Sequence, residues 1–245
     1  MKFILRPILK EMRDLYRIPP SRERFDSYLF LLQGNSKDDM KTPVAGYNPM
    51  GKEVVTDKLD ALIQMNAEGL AALEIEAFNS INVDKDKSVF EVVLNLADDL
   101  GGAWSHRFMT DYSTKFQIAP LLKRRFCTPY FWTSEEHDEQ SIKERIRAYL
   151  YRTSFQIKKG VPKSLKDHIQ QEVYVSRKVG IKNQRPSLDA IKESYTFYIE
   201  NADSEDYGLI FNFLYGDEVS ESLGYKEYGC DEGAGMQLIK HLALD

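Results

Sequence analysis

The stretch VFEVVLNLA, residues 89–97, decides how the chain is read. It is short, rich in Val and Leu, and nearly continuous in apolar character. Such a run suits a strand buried on both faces, inside a sheet covered by helices. RFCTPYFWT, 125–133, is the second strand candidate, and Pro129 within it points to an edge or a bulge.

Helical spacing fills most of the remaining sequence. Phe3, Ile4, Ile8, Met12 and Leu15 predict one helix, which Pro19-Pro20 stops. Ser21 is the expected N-cap of a second helix, with Phe25, Tyr28, Leu29 and Leu32 on one face and Gly34 past its end. A polar loop leads to a long helix from about Pro49 to about Phe78, carried by Val55, Leu59, Leu62, Leu70 and Leu73. Residues 82–88 form a charged turn. Beyond the second strand, Ser134 is the expected N-cap of a helix with Ile142, Ile146, Tyr149, Leu150 and Thr153 as its stripe. His168 and His241 lie in amphipathic helices. Further helices are expected near 187–200, 206–215 and 232–244, the last capped by Asp231. No repeat and no composition shift divides the chain. The expectation is a mainly helical α+β protein, helices packed around a small sheet of two or more strands whose first is 89–97, with 1–245 as one domain.

Composition narrows the classes of function. Of 245 residues 42% are hydrophobic and 29% charged, which is globular rather than disordered. A net charge of −5 argues against nucleic acid as a partner. Lys123, Arg124, Arg125, Lys143, Arg145, Arg147 and Arg152 interleave with Phe126, Tyr130, Phe131 and Trp132, but they read as a solvated helix face beside a packed strand. Two cysteines, Cys127 and Cys230, suit a reduced, cytoplasmic compartment. Cys127 reads as buried and inert, while Cys230 stands near a helix start that could lower a thiol pKa. The opening MKFILRPILKEM is too interrupted for a secretion signal, and no run is long enough to span a membrane.

Two stretches carry potential chemistry. GYNPMGKE, 46–53, has the G-x-x-x-x-G-K spacing of a phosphate loop. However, Glu53 stands where a hydroxyl is needed, and Pro49 removes an amide donor. Asn48 as N-cap and Pro49 as first helical residue give the simpler reading, the start of the long helix.

NLADDLGGAWSHRFMTDY, 95–112, follows the first strand, where ligands gather beyond strand carboxyl ends. Asp98, Asp99, His106 and Asp111 could hold a divalent metal that activates water. Gly101 and Gly102 could form an anion-binding concavity with His106 and Arg107, and Trp104 could wall it or stack on a ring. Asp98, Asp99, His106 and Arg107 are the residues for hydrolytic chemistry. The spacing selects neither site, and the same residues also read as a cap, a turn and a solvated pair. Ser105 beside His106 is not a nucleophile–base pair, because chain neighbours point apart. A small anionic ligand or a metal pocket is therefore the leading functional reading. A non-catalytic interaction domain using aromatic surfaces is the alternative, and nucleotide binding through 46–52 the second.

Overall fold

The computed structural model describes residues 1–35, 39–82, 87–100, 104–180 and 186–244. Among these the chain is mainly helical, with short strands, as expected of an α+β protein. It divides into two compact units, Met1–Thr114 with Ile118–Leu150, and Lys115–Gln117 with Tyr151–Asp245.

The first unit holds the sheet. Strands β1 (Lys2–Leu5), β2 (Val89–Val92) and β4 (Phe126–Cys127) pair in parallel in the order β1-β2-β4. Strands β3 (Asn95–Ala97) and β5 (Tyr130–Trp132) also pair in parallel, Asn95 opposite Tyr130 and Ala97 opposite Trp132. The two predicted strands are thus each broken in two, 89–97 at Val93-Leu94 and 125–133 at Thr128-Pro129. Backbone bonds bridge the breaks, from Val93 N to Cys127 O (3.0 Å) and from Asn95 N to Pro129 O (2.9 Å). Pro129 lies on the outer partner of the sheet, where its missing N–H costs no ladder bond.

The first expected helix is corrected at its start, because Lys2–Leu5 is a strand that precedes 89–97. Phe3 and Ile4 share helical spacing with Ile8, but Pro7 ends the strand, and α1 runs only over Leu9–Leu15. The free edge of β1 is covered by Asn79, whose Oδ1 accepts from Phe3 N (3.0 Å) and whose Nδ2 donates to Phe3 O (2.8 Å). Helix α1 has no cap of its own. Glu68 Oε1 accepts from Ile8 N (2.6 Å) and Leu9 N (2.9 Å), so a distant carboxylate satisfies its first amides. Helix α2 (Arg22–Gln33) has the expected Ser21 cap, and Gly34 ends it at φ +69°.

The long helix is also corrected. It is two helices, α3 (Glu53–Gln64) and α4 (Ala67–Ile81), and α3 begins after Lys52 rather than at Pro49. Asn48 does not cap it, since its Oδ1 accepts from Met50 N (2.9 Å) inside a turn. The break falls at Asn66, in the left-handed region at φ +53°. Its amide lies on Gly69, where a Cβ would approach Nδ2 to 2.2 Å. Helices α5 (Arg107–Phe116) and α6 (Ala119–Lys123) connect β3 to β4. Parallel neighbours need such long crossovers. Helix α7 (Glu139–Lys159) is not capped by Ser134. Asp138 does this, with Oδ1 accepting from Ser141 N (2.7 Å).

The second unit has no strand among its described residues. It contains α8 (Leu165–Val179), α9 (Leu188–Asn201), α10 (Tyr207–Tyr215), α11 (Asp217–Ser222) and α12 (Ala234–Ala243). Helix α12 packs on α8, α9 and α10. Gly235 makes the last contact close, because a Cβ there would meet Phe213 O at 2.7 Å. Gly233, not Asp231, is the N-cap of α12. Asp217 ties α11 to the following loop by accepting from Asn212 Nδ2 (2.8 Å) and from the amides of Tyr228, Gly229 and Cys230 (each 3.1 Å). A buried Arg152–Glu172 pair, two bonds of 2.7 Å, lies in the interior beside Gln171 and Gln156. No helix among the described residues is long and apolar enough to cross a membrane.

Candidate ligand cleft

Parallel pairing brings the carboxyl ends of β3 and β5 to one edge, and Asp98 and Thr133 leave them side by side. Thr133 N donates to Ala97 O (3.1 Å), extending the ladder by one bond. Thr133 Oγ1 lies 3.1 Å from Asp98 Oδ1 and 3.0 Å from Asp99 Oδ1. A hydroxyl carries one proton, so it serves one carboxylate at a time. Asp98 also accepts from Asn48 Nδ2 (2.9 Å). Asp99 accepts from Ser134 N (3.0 Å), Ser134 Oγ (2.6 Å) and Arg107 Nη1 (3.2 Å). Burial alone would raise the Asp99 carboxyl. The bonds from Ser134, Thr133 and Arg107 outweigh it and hold the group below the usual range.

Arg107 is spent in this network. It pairs with Asp99 and Glu135 and lies 4.3 Å from the centre of the Trp132 ring. Glu135 in turn pairs with Arg145 (2.7 Å), whose other nitrogen donates to Tyr130 O (2.9 Å). Charges therefore alternate from Asp99 through Arg107 and Glu135 to Arg145. This chain of ion pairs fastens α5 and the segment before α7 to the strand ends.

The open space lies on the other side of residues 104–114. A cleft of about 440 Å³ is formed there. Its floor is Ala45, Gly46 and Tyr130, and one wall is Trp104 and Ser105. The other wall is the face of α5 carrying Met109, Thr110, Ser113 and Thr114, with His106 just before its first turn. Gly46 permits this floor, because a Cβ at that position would come within 2.6 Å of the Tyr130 ring. Burial pushes the Tyr130 phenol up, so it stays protonated.

Trp104 is 45% exposed yet fixed. Its Nε1 donates to Ala45 O (2.9 Å), and its ring meets Tyr28 edge-on at 6.2 Å. Ser105 Oγ donates to Gly46 O (3.2 Å). His106 Nδ1 faces Met109 N at 3.5 Å, the relation of a long N-cap bond.

The two stretches singled out in the sequence thus meet, through Asn48–Asp98, Ala45–Trp104 and Gly46–Ser105. Of the expected site residues, Trp104 and His106 line the cleft. Asp98, Asp99 and Arg107 lie behind it in the structural network, and Asp111 is buried on α5. Gly101 and Gly102 lie outside the described residues. Among the described residues, no group of three or more His, Cys, Asp or Glu is placed to hold a metal ion. Within 46–52 the amides of Tyr47, Met50 and Gly51 turn inward, to Val44 O (3.0 Å), Asn48 Oδ1 (2.9 Å) and Asn48 O (3.4 Å). Cys127 is buried, and burial pushes the Cys230 thiol up to about 12, so the helix start does not lower it.

Sequence reasoning missed Met109, Thr110, Ser113 and Thr114 as lining residues. Their signal was the spacing 106, 109, 110, 113, one helix face of mixed hydroxyl and apolar character. Comparisons of the chain with protein-family models, with curated proteins and with solved structures return no match.

Proposed function

We propose that the protein binds a small molecule in the cleft between Trp104, Gly46 and the 106–114 face of α5. The observation that carries this reading is the cleft itself. It joins two distant loops beside the first residue of β5 and mixes an aromatic wall with a few polar groups, as ligand sites do. His106 is the lining residue whose ring can exchange a proton, so hydrolysis is the first reaction to assay. Arg107 is held by two carboxylates and is a positioning residue rather than an anion ligand. The test is a fragment screen read by amide chemical shifts. Fragments should perturb Trp104, Thr110 and Ser113 together, and Ser113→Phe, which fills the cleft, should abolish the response. A screen in which no fragment moves these signals refutes the reading.

The second reading is an interaction domain, favoured by an exposed stripe on α9. Leu188, Tyr195 and Ile199 are 70%, 45% and 56% exposed. A complex that survives Trp104→Ala but not Ile199→Asp would favour it.

A further inference from the structure

We infer that the ligand is an uncharged, flat heteroaromatic ring, of the class of a nucleobase or nucleoside. The inference rests on the cleft being a ligand site and names what fits it.

Three observations carry it. The first is Trp104, a large ring left 45% exposed but oriented by its bond to Ala45 O and by Tyr28. Exposing a fixed indole at a cleft wall wastes apolar surface unless a ring covers it. Stacking on such a platform suits any flat base.

The second is charge. Among the described residues no Lys, Arg, Asp or Glu lines the cleft. Arg107, the nearest cation in sequence, is paired with Asp99 and Glu135. A phosphate or carboxylate would lose its water there without gaining an opposite charge. The neutral part of a ligand is what this cleft can hold.

The third is the pairing of donors and acceptors beside the indole. Ser105 Oγ spends its proton on Gly46 O and keeps its lone pairs. The His106 ring, on the next residue along the same wall, supplies an N–H donor from one of its nitrogens. Ser113 Oγ donates to Met109 O (2.9 Å) and offers lone pairs, while the Thr110 hydroxyl can serve either role. A donor and an acceptor side by side match the edge of a heterocycle, where N–H and ring nitrogen or carbonyl alternate. A sugar is the other ligand that stacks on tryptophan. Its hydroxyls are usually gripped by charged or amide side chains, and none line this cleft among the described residues.

The chain has two tryptophans, and Trp132 is buried at 1% exposure, so quenching by a cleft ligand falls on Trp104. The experiment titrates the full chain with adenosine, uridine, adenosine monophosphate, glucose and a short oligoadenylate. Tryptophan emission and the amide shifts of Thr110 and Ser113 are followed together. A nucleoside should quench emission saturably and move both amides. Trp104→Leu should weaken binding at least tenfold, with Trp104→Phe restoring part of it. The monophosphate should bind no tighter than the nucleoside. Glucose or other non-aromatic compounds moving the amides while nucleosides do not would overturn the inference and leave the cleft as a ligand site. Tenfold tighter binding of the monophosphate would overturn the uncharged part, and tenfold tighter binding of the oligonucleotide would overturn a free small ligand. If no compound in this set or the fragment screen moves the amides, the cleft reading fails and the inference with it.

Discussion

Replacing Asp99 separates a structural carboxylate from a chemical one. Asp99 accepts four hydrogen bonds, from Ser134 N, Ser134 Oγ, Thr133 Oγ1 and Arg107 Nη1. Bonds to a charged group contribute about 1.5–3 kcal/mol each when they act alone. They are not additive here. Ser134 is exposed, so water replaces its two bonds, and Arg107 keeps Glu135 as a partner. Thr133 Oγ1 keeps Asp98 Oδ1 within reach, so part of the Arg107 pair is the net loss, and Asp99→Ala should destabilise the first unit by about 1–2 kcal/mol. Asp99→Asn keeps an acceptor for Thr133 and Ser134 N and should cost about 1 kcal/mol. Urea unfolding followed by tryptophan emission measures this, since both tryptophans belong to the first unit and Trp132 carries Arg107 on its ring. The folded-state pKa of Asp99 is lowered, so its contribution is present above the ordinary aspartate value, about 3.9, and is lost as pH falls through the folded value. The gap between wild type and Asp99→Asn should therefore close in acid. An Asp99→Ala protein within about 0.5 kcal/mol of wild type would refute the network as a fastening of the strand ends.

Gly46→Ala forces a Cβ to within 2.6 Å of the buried Tyr130 ring and should cost about 1–3 kcal/mol while narrowing the cleft, read by urea unfolding and by the fragment screen. Glu172→Ala leaves the Arg152 guanidinium buried without its carboxylate and should cost about 3–5 kcal/mol, whereas replacing both residues with apolar ones of similar volume should cost much less. Burial lowers the His168 pKa below its unfolded value of about 6.5, so stability is full above that pH and falls as pH drops through it toward the folded value. His168→Gln should flatten this slope in amide exchange measured on α8.

Much of the fold was legible because burial imposes periodicity. Val89–Ala97 read as a strand since Val92, Val93, Leu94 and Leu96 face apolar surroundings on both sides. Ser21, Gly34 and the helices near 187–200 and 206–215 were legible from local chemistry. The errors share a cause: the deciding partner was distant in sequence. Phe3 is held in a strand by Asn79 and Phe90, and nothing near residue 3 announces either. Ser134 looked like a cap, but Asp99 claims it from 35 residues away. The break at Asn66 was readable in principle, since Asn favours the left-handed region and Gly69 leaves room for it. For the cleft, the sequence singled out a segment that lines it, with Trp104 and His106 among the lining residues. It could not tell that Arg107 and Asp99 satisfy each other, because opposite charges eight residues apart show no geometry until the strand ends are placed.

The all-parallel pairing has a consequence for how the chain is made. β1 has no hairpin partner, and residues 6–88 separate it from β2. During synthesis Phe3 must wait, unpaired, until Phe90 has emerged. Val92, Leu94 and Leu96 must then wait for 126–132 to cover the other side. Contacts of such long separation fold slowly and leave apolar strand edges open meanwhile. Helices α1 to α4 are complete before the first ladder bond between β1 and β2 can form. They are the early shelter for β1, and a lesion in α4 at Asn79 would be felt first as misfolding of the nascent chain.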